Sequence, residues 1–461
     1  MSAALLPLID WSVVERYDRP TPRYTSYPPA TALQPGPGAV DLAEALAEGN
    51  RFRRPLSLYV HLPFCRKACY FCGCNRITTG LGDRVVEPYL DALEQELDRV
   101  RPHVAAGRAV AQLQLGGGSP SYLSLPQMAR LREMLERRFH FAAEAECGIE
   151  INPEGVSSDY IRGVRQLGFN RISFGVQDID PLVQAAINRV QPLAQLQATM
   201  AAIREADFAS CNLDLVYGLP YQTRESFAET LRAVIALDPD RIALFSFAYL
   251  PDQLPLQRRF PAESLPDGRT KLALLRLAIE QLTAAGYEFI GMDHFAKPTD
   301  ELAQAQRCGT LHRNFQGYTT TRADDLLGFG VSAISMLPDL YLQNHKGLKD
   351  YYRAIAAGEL PIERGLRFGD DDTRIRRAVV MALMCRFRLD PAELEQRFGI
   401  QFERYFRAEQ PALRQLALDG LIREEGRMLR VTPLGRLLLR NVAHVFDAHS
   451  GCTAGRFSRA I

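Results

Sequence analysis

Residues 56–75, LSLYVHLPFCRKACYFCGCN, join a short apolar run to a loop with four cysteines. The run LSLYVHLPF predicts a β-strand, because apolar, β-branched and aromatic residues follow one another without a helical repeat. Cys65, Cys69 and Cys72 come directly after it, separated by three and then two residues, and Cys74 completes a CxC. The cysteines therefore lie in a loop at the end of a strand, where a short loop can wrap three thiolates around one group.

Five further runs of the same kind follow the first. They are AQLQLGGG (111–118), CGIEIN (147–152), RISFGVQ (171–177), CNLDLVYG (211–218) and RIALFSFAY (241–249). The segments between them repeat apolar residues at three- and four-residue spacing, which is typical of helices that cover a sheet. Strands alternating with helices predict an α/β fold with a parallel sheet, closed as a partial (β/α)6-type barrel. Right-handed crossovers would bring the carboxyl ends of all strands, and the motifs beyond them, to one rim.

Three regions are predicted along the chain. Residues 1–50 form an N-terminal arm over the barrel, rich in proline and glycine, and residues 51–368 form the catalytic barrel. Residues 369–461 form a mainly helical C-terminal domain around a strand pair in EEGRMLRVT. This last region has features of a winged helix but no basic recognition stripe, so we do not expect it to bind nucleic acid.

Composition and charge exclude several classes of protein. The net charge of +1 provides no general attraction for nucleic acid. No stretch of eighteen apolar residues predicts a membrane span, and the start of the chain does not resemble a secretion signal. A cytoplasmic protein is therefore expected. Since cytosolic thiols stay reduced, the nine cysteines do not indicate a disulfide framework.

The spacing of Cys65, Cys69 and Cys72 favours an iron–sulfur cluster. Such clusters are usually held by four thiolates, so three protein ligands would leave one iron open to a small molecule. The alternative is a structural zinc site. Zinc usually recruits paired CxxC or Cys/His groups from two loops, and no second pair is found.

The segment CRKACYFC (65–72) resembles the CxxxCxxC signature of radical S-adenosylmethionine (SAM) enzymes. Across nearly the whole chain the sequence resembles the family of oxygen-independent coproporphyrinogen III oxidases, through PRYTSYP, YVHLPFCRKACYFCGCN, GGGSPSYL, EINPE, NRISFGVQ, DLVYGLP, GMDHFA, RNFQGYTT and LLGFGVSAISM. The resemblance implies a step of haem biosynthesis, in which a 5′-deoxyadenosyl radical starts the anaerobic oxidative decarboxylation of two propionates of coproporphyrinogen III to vinyl groups, giving protoporphyrinogen IX. It implies one [4Fe–4S] cluster on Cys65, Cys69 and Cys72, and two molecules of SAM.

The same resemblance assigns residues to SAM. They are Tyr59, Phe71, Gly117, Gly118, Ser119, Glu150, Gln177, Arg189, Asp214, Ala248, Phe315, Gln316 and Ile334. The second SAM would be bound by Phe315 and Gln316 together with five residues that also serve the first, which are Gly118, Ser119, Gln177, Arg189 and Asp214. The chain departs from the family pattern at Leu115, Ser119 and Tyr249, where the family usually has tryptophan, threonine and histidine.

Cys74 is expected to act beside the substrate, because a fourth thiolate would close the iron that SAM must occupy. It should point away from the cluster. Arg23 and Arg313 are candidates to bind the propionates, since arginine grips carboxylates bidentately.

The alternative function is that of a haem chaperone of the radical SAM type, which binds and transfers haem. Cys74, PRYTSYP and RNFQGYTT favour the oxidase. A reductant protein such as flavodoxin or ferredoxin, an unknown electron acceptor and a monomeric state complete the expectations.

Overall fold

The computed structural model describes residues 10–320 and 325–449. The strands are Leu56–Leu62 (β1), Phe64–Cys65 (β2), Ile77–Thr78 (β3), Ala109–Gly117 (β4), His140–Ile151 (β5), Arg171–Gln177 (β6), Ser210–Tyr217 (β7), Arg241–Ser246 (β8), Glu288–Gly291 (β9), His294–Ala296 (β10), His312–Asn314 (β11), Gly317–Thr319 (β12), Asp325–Phe329 (β13), Ile334–Leu337 (β14), Leu340–Asn344 (β15), Ile362–Arg367 (β16), Arg388–Leu389 (β17), Ile422–Glu425 (β18) and Met428–Val431 (β19).

The α-helices complete the description. They are Trp11–Tyr17 (α1), Ala39–Arg51 (α2), Asp83–Val100 (α3), Leu125–Glu136 (α4), Ser158–Gln166 (α5), Pro181–Ala186 (α6), Leu193–Glu205 (α7), Arg224–Leu237 (α8), Gly268–Ala284 (α9), Glu301–Cys308 (α10), Leu348–Ala356 (α11), Asp371–Arg386 (α12), Pro391–Phe398 (α13), Phe402–Tyr405 (α14), Gln410–Leu418 (α15), Pro433–Leu437 (α16) and Leu439–His444 (α17). No helix of the described residues is long and apolar enough to cross a membrane.

The chain divides into two compact units, each made of separate segments. The cysteine-loop unit comprises Leu33–Asp214 and Thr321–Arg367. The terminal unit comprises Met1–Ala32, Leu215–Thr320 and Phe368–Ile461. Strand β7 passes from the first unit to the second after Asp214.

The cysteine-loop unit is built on a mostly parallel sheet. Its strands run in the order β16, β15, β14, β13, β1, β4, β5, β6 and the first part of β7. Strand β1 is parallel to β13 on one side and to β4 on the other, so that Tyr59 is paired with both Gly328 and Gln114. Because β1 is central, its alternate residues Leu58 and Val60 are fully buried.

Helices cover this sheet with the apolar faces that their spacing predicts. Helix α3 buries Leu90, Leu93 and Leu97, which recur every three or four residues. Helix α4 begins with a capping box, in which the backbone N–H of Ser124 donates to Gln127 Oε1 at 3.0 Å. The loop between β4 and α4 is therefore held in place at the start of this helix.

The terminal unit combines short antiparallel sheets with helices. Strand β10 pairs with β8 and β9, β11 with β12, and β19 lies between β17 and β18. The segment around PRYTSYP packs inside this unit, since Tyr24 and Tyr27 are buried and the Tyr24 hydroxyl donates to Asp447 Oδ2 at 2.7 Å.

The six predicted strands correspond to β1, β4, β5, β6, β7 and β8, so the α/β class with a mostly parallel sheet is confirmed. The mainly helical C-terminal region is also confirmed, and EEGRMLRVT forms part of the predicted strand pair, β18 and β19. Sequence reasoning missed the antiparallel strands β14 to β16, because their pairing depends on contacts outside the βα repeat.

Candidate active site

The cysteine loop is closed by a two-strand ladder that follows β1. Strand β2 pairs in parallel with β3, so that Cys65 lies opposite Thr78. The backbone N–H of Thr79 donates to Cys65 O at 3.0 Å, and the N–H of Ile77 donates to Pro63 O at 2.7 Å. Cys65, Cys69 and Cys72 are half-buried in this closed loop. Three thiols are thus carried by one short segment at the end of a central strand.

Two arginines surround the cysteine sulfurs with hydrogen-bond donors. Arg189 Nη1 lies 3.6 Å from Cys69 Sγ, and Arg76 Nη2 donates to Cys69 O at 2.9 Å. The pKa of Cys72 is lowered to about 5, first by a hydrogen bond from Cys74 and further by Arg76. Burial, together with the charges of Cys72 and Cys69, raises the pKa of Cys65 to about 11. Guanidinium groups beside thiolates suit a ligand set that carries several negative charges.

Cys74 contacts the neighbouring thiol through its backbone. Its N–H lies 3.5 Å from Cys72 Sγ. The one-residue spacing explains this contact, since a tight CxC turn brings the amide of the second cysteine onto the first sulfur. Cys74 remains solvent-exposed.

The glycines of GGGSPS permit backbone approaches that a side chain would block. A Cβ on Gly117, whose φ is +110°, would lie 2.5 Å from the His61 ring, and one on Gly118 would lie 2.5 Å from the Pro63 carbonyl. The N–H groups of Gly118 and Ser119 donate to Leu62 O and Phe64 O at 2.8 and 2.9 Å. The glycine segment is therefore fastened directly to the strand that carries the cysteine loop.

Two half-buried carboxyl groups, those of Glu150 and Asp214, interact through their charges in this unit. Burial, reinforced by the charge of Asp214, raises the pKa of Glu150 to about 7, and Gly117 N–H donates to Glu150. Burial also raises the pKa of Asp214 to about 6, against the effect of a hydrogen bond from Asn212 at 2.8 Å. A pair of carboxylates held out of water is poised to receive a cation.

Other predicted residues lie at the ends of neighbouring strands. Gln177 ends β6 with a φ of +66°, and Arg189 Nη2 donates to Gly175 O at 2.9 Å. A Cβ on Gly175 would lie 2.1 Å from Gln177 Nε2 and 3.2 Å from Arg189 Nη2, so both side chains pack directly against this glycine. Ile334 begins β14, and Phe71 is half-buried within the cysteine loop.

Three of the predicted residues belong to the terminal unit. Ala248 follows β8 and accepts a hydrogen bond from Gln257 Nε2 at 3.0 Å. Phe315 and Gln316 form the turn between β11 and β12, where the Gln316 N–H donates to Asn314 Oδ1 at 2.9 Å. The propionate candidates Arg23 and Arg313 also belong to the terminal unit, and the remaining predicted site residues lie in the cysteine-loop unit.

Sequence reasoning missed a chain of hydrogen bonds that ends at the CxC. The buried His61 contacts Asn75 O through Nε2 at 2.8 Å and the Tyr59 hydroxyl through Nδ1 at 3.1 Å. Since a carbonyl only accepts, Nε2 carries the proton and Tyr59 donates to Nδ1. The two-residue spacing of Tyr59 and His61 on β1 was the available signal, because it puts both on one face of the strand.

The residues present fit an iron–sulfur cluster and its ligand SAM. Three half-buried thiols lie among donors from Arg76 and Arg189, and the two acidic side chains Glu150 and Asp214 lie in the same unit. Within the described ranges, no group of three His, Cys, Asp or Glu residues is placed to hold a metal ion. The assignment therefore rests on the thiol loop and its donors.

Two family models match this chain, one over its catalytic region and one near its C-terminal end. The radical SAM superfamily model matches residues 59–234, and the model of the HemN C-terminal domain matches residues 370–438. An oxygen-independent coproporphyrinogen III oxidase of Synechocystis is 50% identical over 99% of this chain and 99% of its own. That of Escherichia coli K12 is 47% identical over 98% of this chain and 99% of its own.

This chain belongs to the oxygen-independent coproporphyrinogen III oxidase family. The solved structure of coproporphyrinogen III oxidase (HemN) from Escherichia coli, described as a radical SAM enzyme, has a TM-score of 0.90 at 46% identity and covers 96% of this chain and 99% of that one. Membership in the radical SAM superfamily brings a [4Fe–4S] cluster and SAM as cofactors. The fold accordingly matches the predicted radical SAM partial barrel with a helical C-terminal region.

Proposed function

We propose that this chain removes two propionate carboxyl groups from coproporphyrinogen III without oxygen, giving protoporphyrinogen IX in haem biosynthesis. The supporting observation is that this chain is 45–50% identical to several oxygen-independent coproporphyrinogen III oxidases over at least 98% of its length. When bound and reduced, a [4Fe–4S] cluster with SAM supplies a radical able to take hydrogen from an unactivated C–H bond.

The chain's own residues hold and shield these groups. Cys65, Cys69 and Cys72 supply the thiolates, and Arg189 donates toward Cys69 Sγ. Glu150 and Asp214, in their ionised forms, bind the positively charged parts of SAM. Because both side chains are half-buried, water screens this attraction less than it would at the surface.

The glycine segment and the strand ends orient SAM. Gly117, Gly118 and Ser119 bring exposed backbone close to the methionine groups of the ligand. Tyr59, Phe71, Gln177, Ala248 and Ile334 line the remainder of the SAM site. A second SAM is bound with the help of Phe315 and Gln316, and Cys74 acts beside the substrate by positioning it or by moving a proton or hydrogen atom.

The partners and location follow from the reaction. Cluster reduction requires an electron donor, for which a flavodoxin or ferredoxin is suited, and a further acceptor takes the electron left after decarboxylation. We propose that the protein acts as a cytoplasmic monomer, binds neither membrane nor nucleic acid, and has an arm, barrel and C-terminal domain bounded at residues 50 and 368.

The test is an anaerobic turnover assay. Protein with a reconstituted cluster is mixed with reductant, SAM, coproporphyrinogen III and cell extract, and the product is analysed by mass. Loss of two carboxyl groups is expected, whereas Arg189→Ala and Asp214→Ala should keep the cluster and bind SAM more weakly. Tight haem binding without any decarboxylated product would instead identify a haem chaperone.

A further inference from the structure

Arg313 is a buried cation in the terminal unit that lacks a carboxylate partner. It is 8% exposed, and its Nε donates to Tyr24 O at 3.1 Å. Its Nη1 is buried without any hydrogen-bond partner, and no ion pair joins it to an acid within residues 10–320 and 325–449. Burying a charge without a counter-charge is costly. The position therefore calls for an anion that the described residues do not provide.

A row of aromatic rings joins Arg313 to a second arginine. The Arg313 guanidinium lies 4.5 Å from the centre of the Tyr318 ring, which meets His294 edge to face at 5.4 Å. His294 in turn meets Phe245 at 6.3 Å, and the guanidinium of Arg23 lies 5.7 Å from the Phe245 ring. We call these five residues the aromatic row. It carries a guanidinium at each end.

Further polar atoms along the row also lack partners. His294 Nδ1 and Gln316 Nε2 are both buried without a hydrogen bond among the described residues. The pKa of His294 is lowered to about 4, first by burial and then by the charge of Arg313. The imidazole is therefore neutral at pH 7 and does not offset the positive charge of Arg313. Arg23, by contrast, forms an ion pair with Asp293 at 3.6 Å, so among the described residues it is the Arg313 end of the row that has no carboxylate partner.

The row can be reached from outside. Phe245, His294 and Gln316 are only partly buried, and the side chain of Arg23 is 38% exposed. A ligand can therefore lie along the Phe245 and His294 rings with one carboxylate beside Arg23, and a second carboxylate that reaches the buried end would meet Arg313. Flat aromatic rings pack well on such a surface, and arginine binds a carboxylate through two parallel hydrogen bonds.

We infer that Arg313 and Arg23 form a binding site for the carboxylates of a polycarboxylate built on aromatic rings. This inference rests on the proposed function, which makes that ligand the porphyrinogen, with pyrrole rings along the aromatic row and propionates at its two ends. The methionine end of a SAM molecule offers the same carboxylate chemistry. We assign the site to the propionates, and the experiment separates the two sources.

The test measures binding, not turnover. Coproporphyrin III, the oxidised fluorescent form, and its tetramethyl ester are titrated anaerobically into cluster-loaded wild type, Arg23→Gln, Arg313→Gln, Arg313→Lys and Arg258→Gln. Arg258 is the control, because its side chain is 63% exposed and belongs to the same unit. Binding of labelled SAM is measured on each protein by equilibrium dialysis, and thermal unfolding checks that each variant is folded.

We expect Arg313→Gln and Arg23→Gln to bind the free acid at least about tenfold more weakly, as for loss of a charged hydrogen bond. Arg313→Lys should lie between wild type and Arg313→Gln, since lysine keeps the charge without the fork. The control should match wild type, and the ester should bind weakly to every protein. If Arg313→Gln does not fold, the comparison of Arg23→Gln with wild type decides.

Unchanged affinity for the free acid in both Arg23→Gln and Arg313→Gln would overturn the inference. Weaker SAM binding with unchanged porphyrin binding would overturn it as well, because the carboxylate would then belong to SAM. The outcome is separate from that of the turnover assay. If porphyrin binding depends on the arginines but no decarboxylation occurs, only the proposed reaction is refuted. If decarboxylation occurs but porphyrin binding does not depend on the arginines, only this site is refuted.

Discussion

The hydroxyl of Tyr89 connects two parts of the cysteine-loop unit that are distant in sequence. It donates to His61 O at 2.6 Å, at the end of β1, and accepts from the N–H of Val331 at 3.0 Å, in the segment leading to Ile334. Tyr89 is fully buried. A Cβ on Gly330 would lie 2.3 Å from this hydroxyl, so the segment passes directly over it.

Helix α3 holds the same segment at a second point. Two turns beyond Tyr89, the buried Glu96 accepts from the N–H of Gly330 at 2.8 Å, from Asn344 Nδ2 at 2.7 Å and from the Tyr351 hydroxyl at 2.7 Å. These contacts predict that α3 sets the position of Ile334 relative to the strand that carries the cysteine loop.

Tyr89→Phe removes only the hydroxyl and leaves a buried carbonyl and a buried N–H without partners. Each such group costs about 1–3 kcal/mol, so the free energy of unfolding should fall by roughly 2–6 kcal/mol. The control is Tyr122→Phe, whose hydroxyl likewise accepts from Gly82 N at 3.0 Å and donates to Thr79 O at 3.2 Å, but in a part-buried position. Because water can replace those bonds, the control should lose about 1 kcal/mol or less.

Two measurements test this reasoning. Anaerobic denaturant unfolding of the cluster-free proteins gives the free energies, and SAM binding to the cluster-loaded proteins reports on the Ile334 segment. Tyr89→Phe should retain the cluster but bind SAM about threefold to tenfold more weakly, which corresponds to about 1 kcal/mol. A loss of stability no larger than that of Tyr122→Phe, together with unchanged SAM affinity, would show that the hydroxyl does not have this role.

Three further predictions concern the site itself. Serine in place of Cys65, Cys69 or Cys72 should abolish the [4Fe–4S] absorption and EPR signals, since each supplies one of three thiolates, and an intact cluster in any variant would identify different ligands. Cys74→Ser should keep the cluster and SAM binding while losing most product formation; full activity would remove it from the mechanism, and loss of iron would make it a ligand. The pKa of Glu150 is raised to about 7, so its charged form is lost as the pH falls through this value. SAM affinity should therefore drop below about pH 7, by up to about tenfold for each pH unit, and Glu150→Gln should flatten that pH profile. A wild-type profile without this drop would contradict a charged role for the residue.

Several features could be predicted from the sequence because they depend on neighbours along the chain. The spacing of Cys65, Cys69 and Cys72 places three thiols in one loop whatever the rest of the fold does. The apolar runs at 56–64 and 171–177 have the residue types of buried strands, and β1 and β6 form there. Family resemblance then carried the roles of residues such as Glu150, whose burial and proximity to Asp214 no local pattern reveals.

Other features were decided only by tertiary structure. Strand β13 pairs with β1 across more than half of the chain, and Tyr89 bonds to a residue 242 positions away. The close contact of Cys74 with Cys72 and the unpaired Nη1 of Arg313 also appear only once the backbone is folded. Hydrophobic periodicity reports whether a side chain is buried, but hydrogen-bond partners depend on distances of a few tenths of an ångström between segments that the sequence separates.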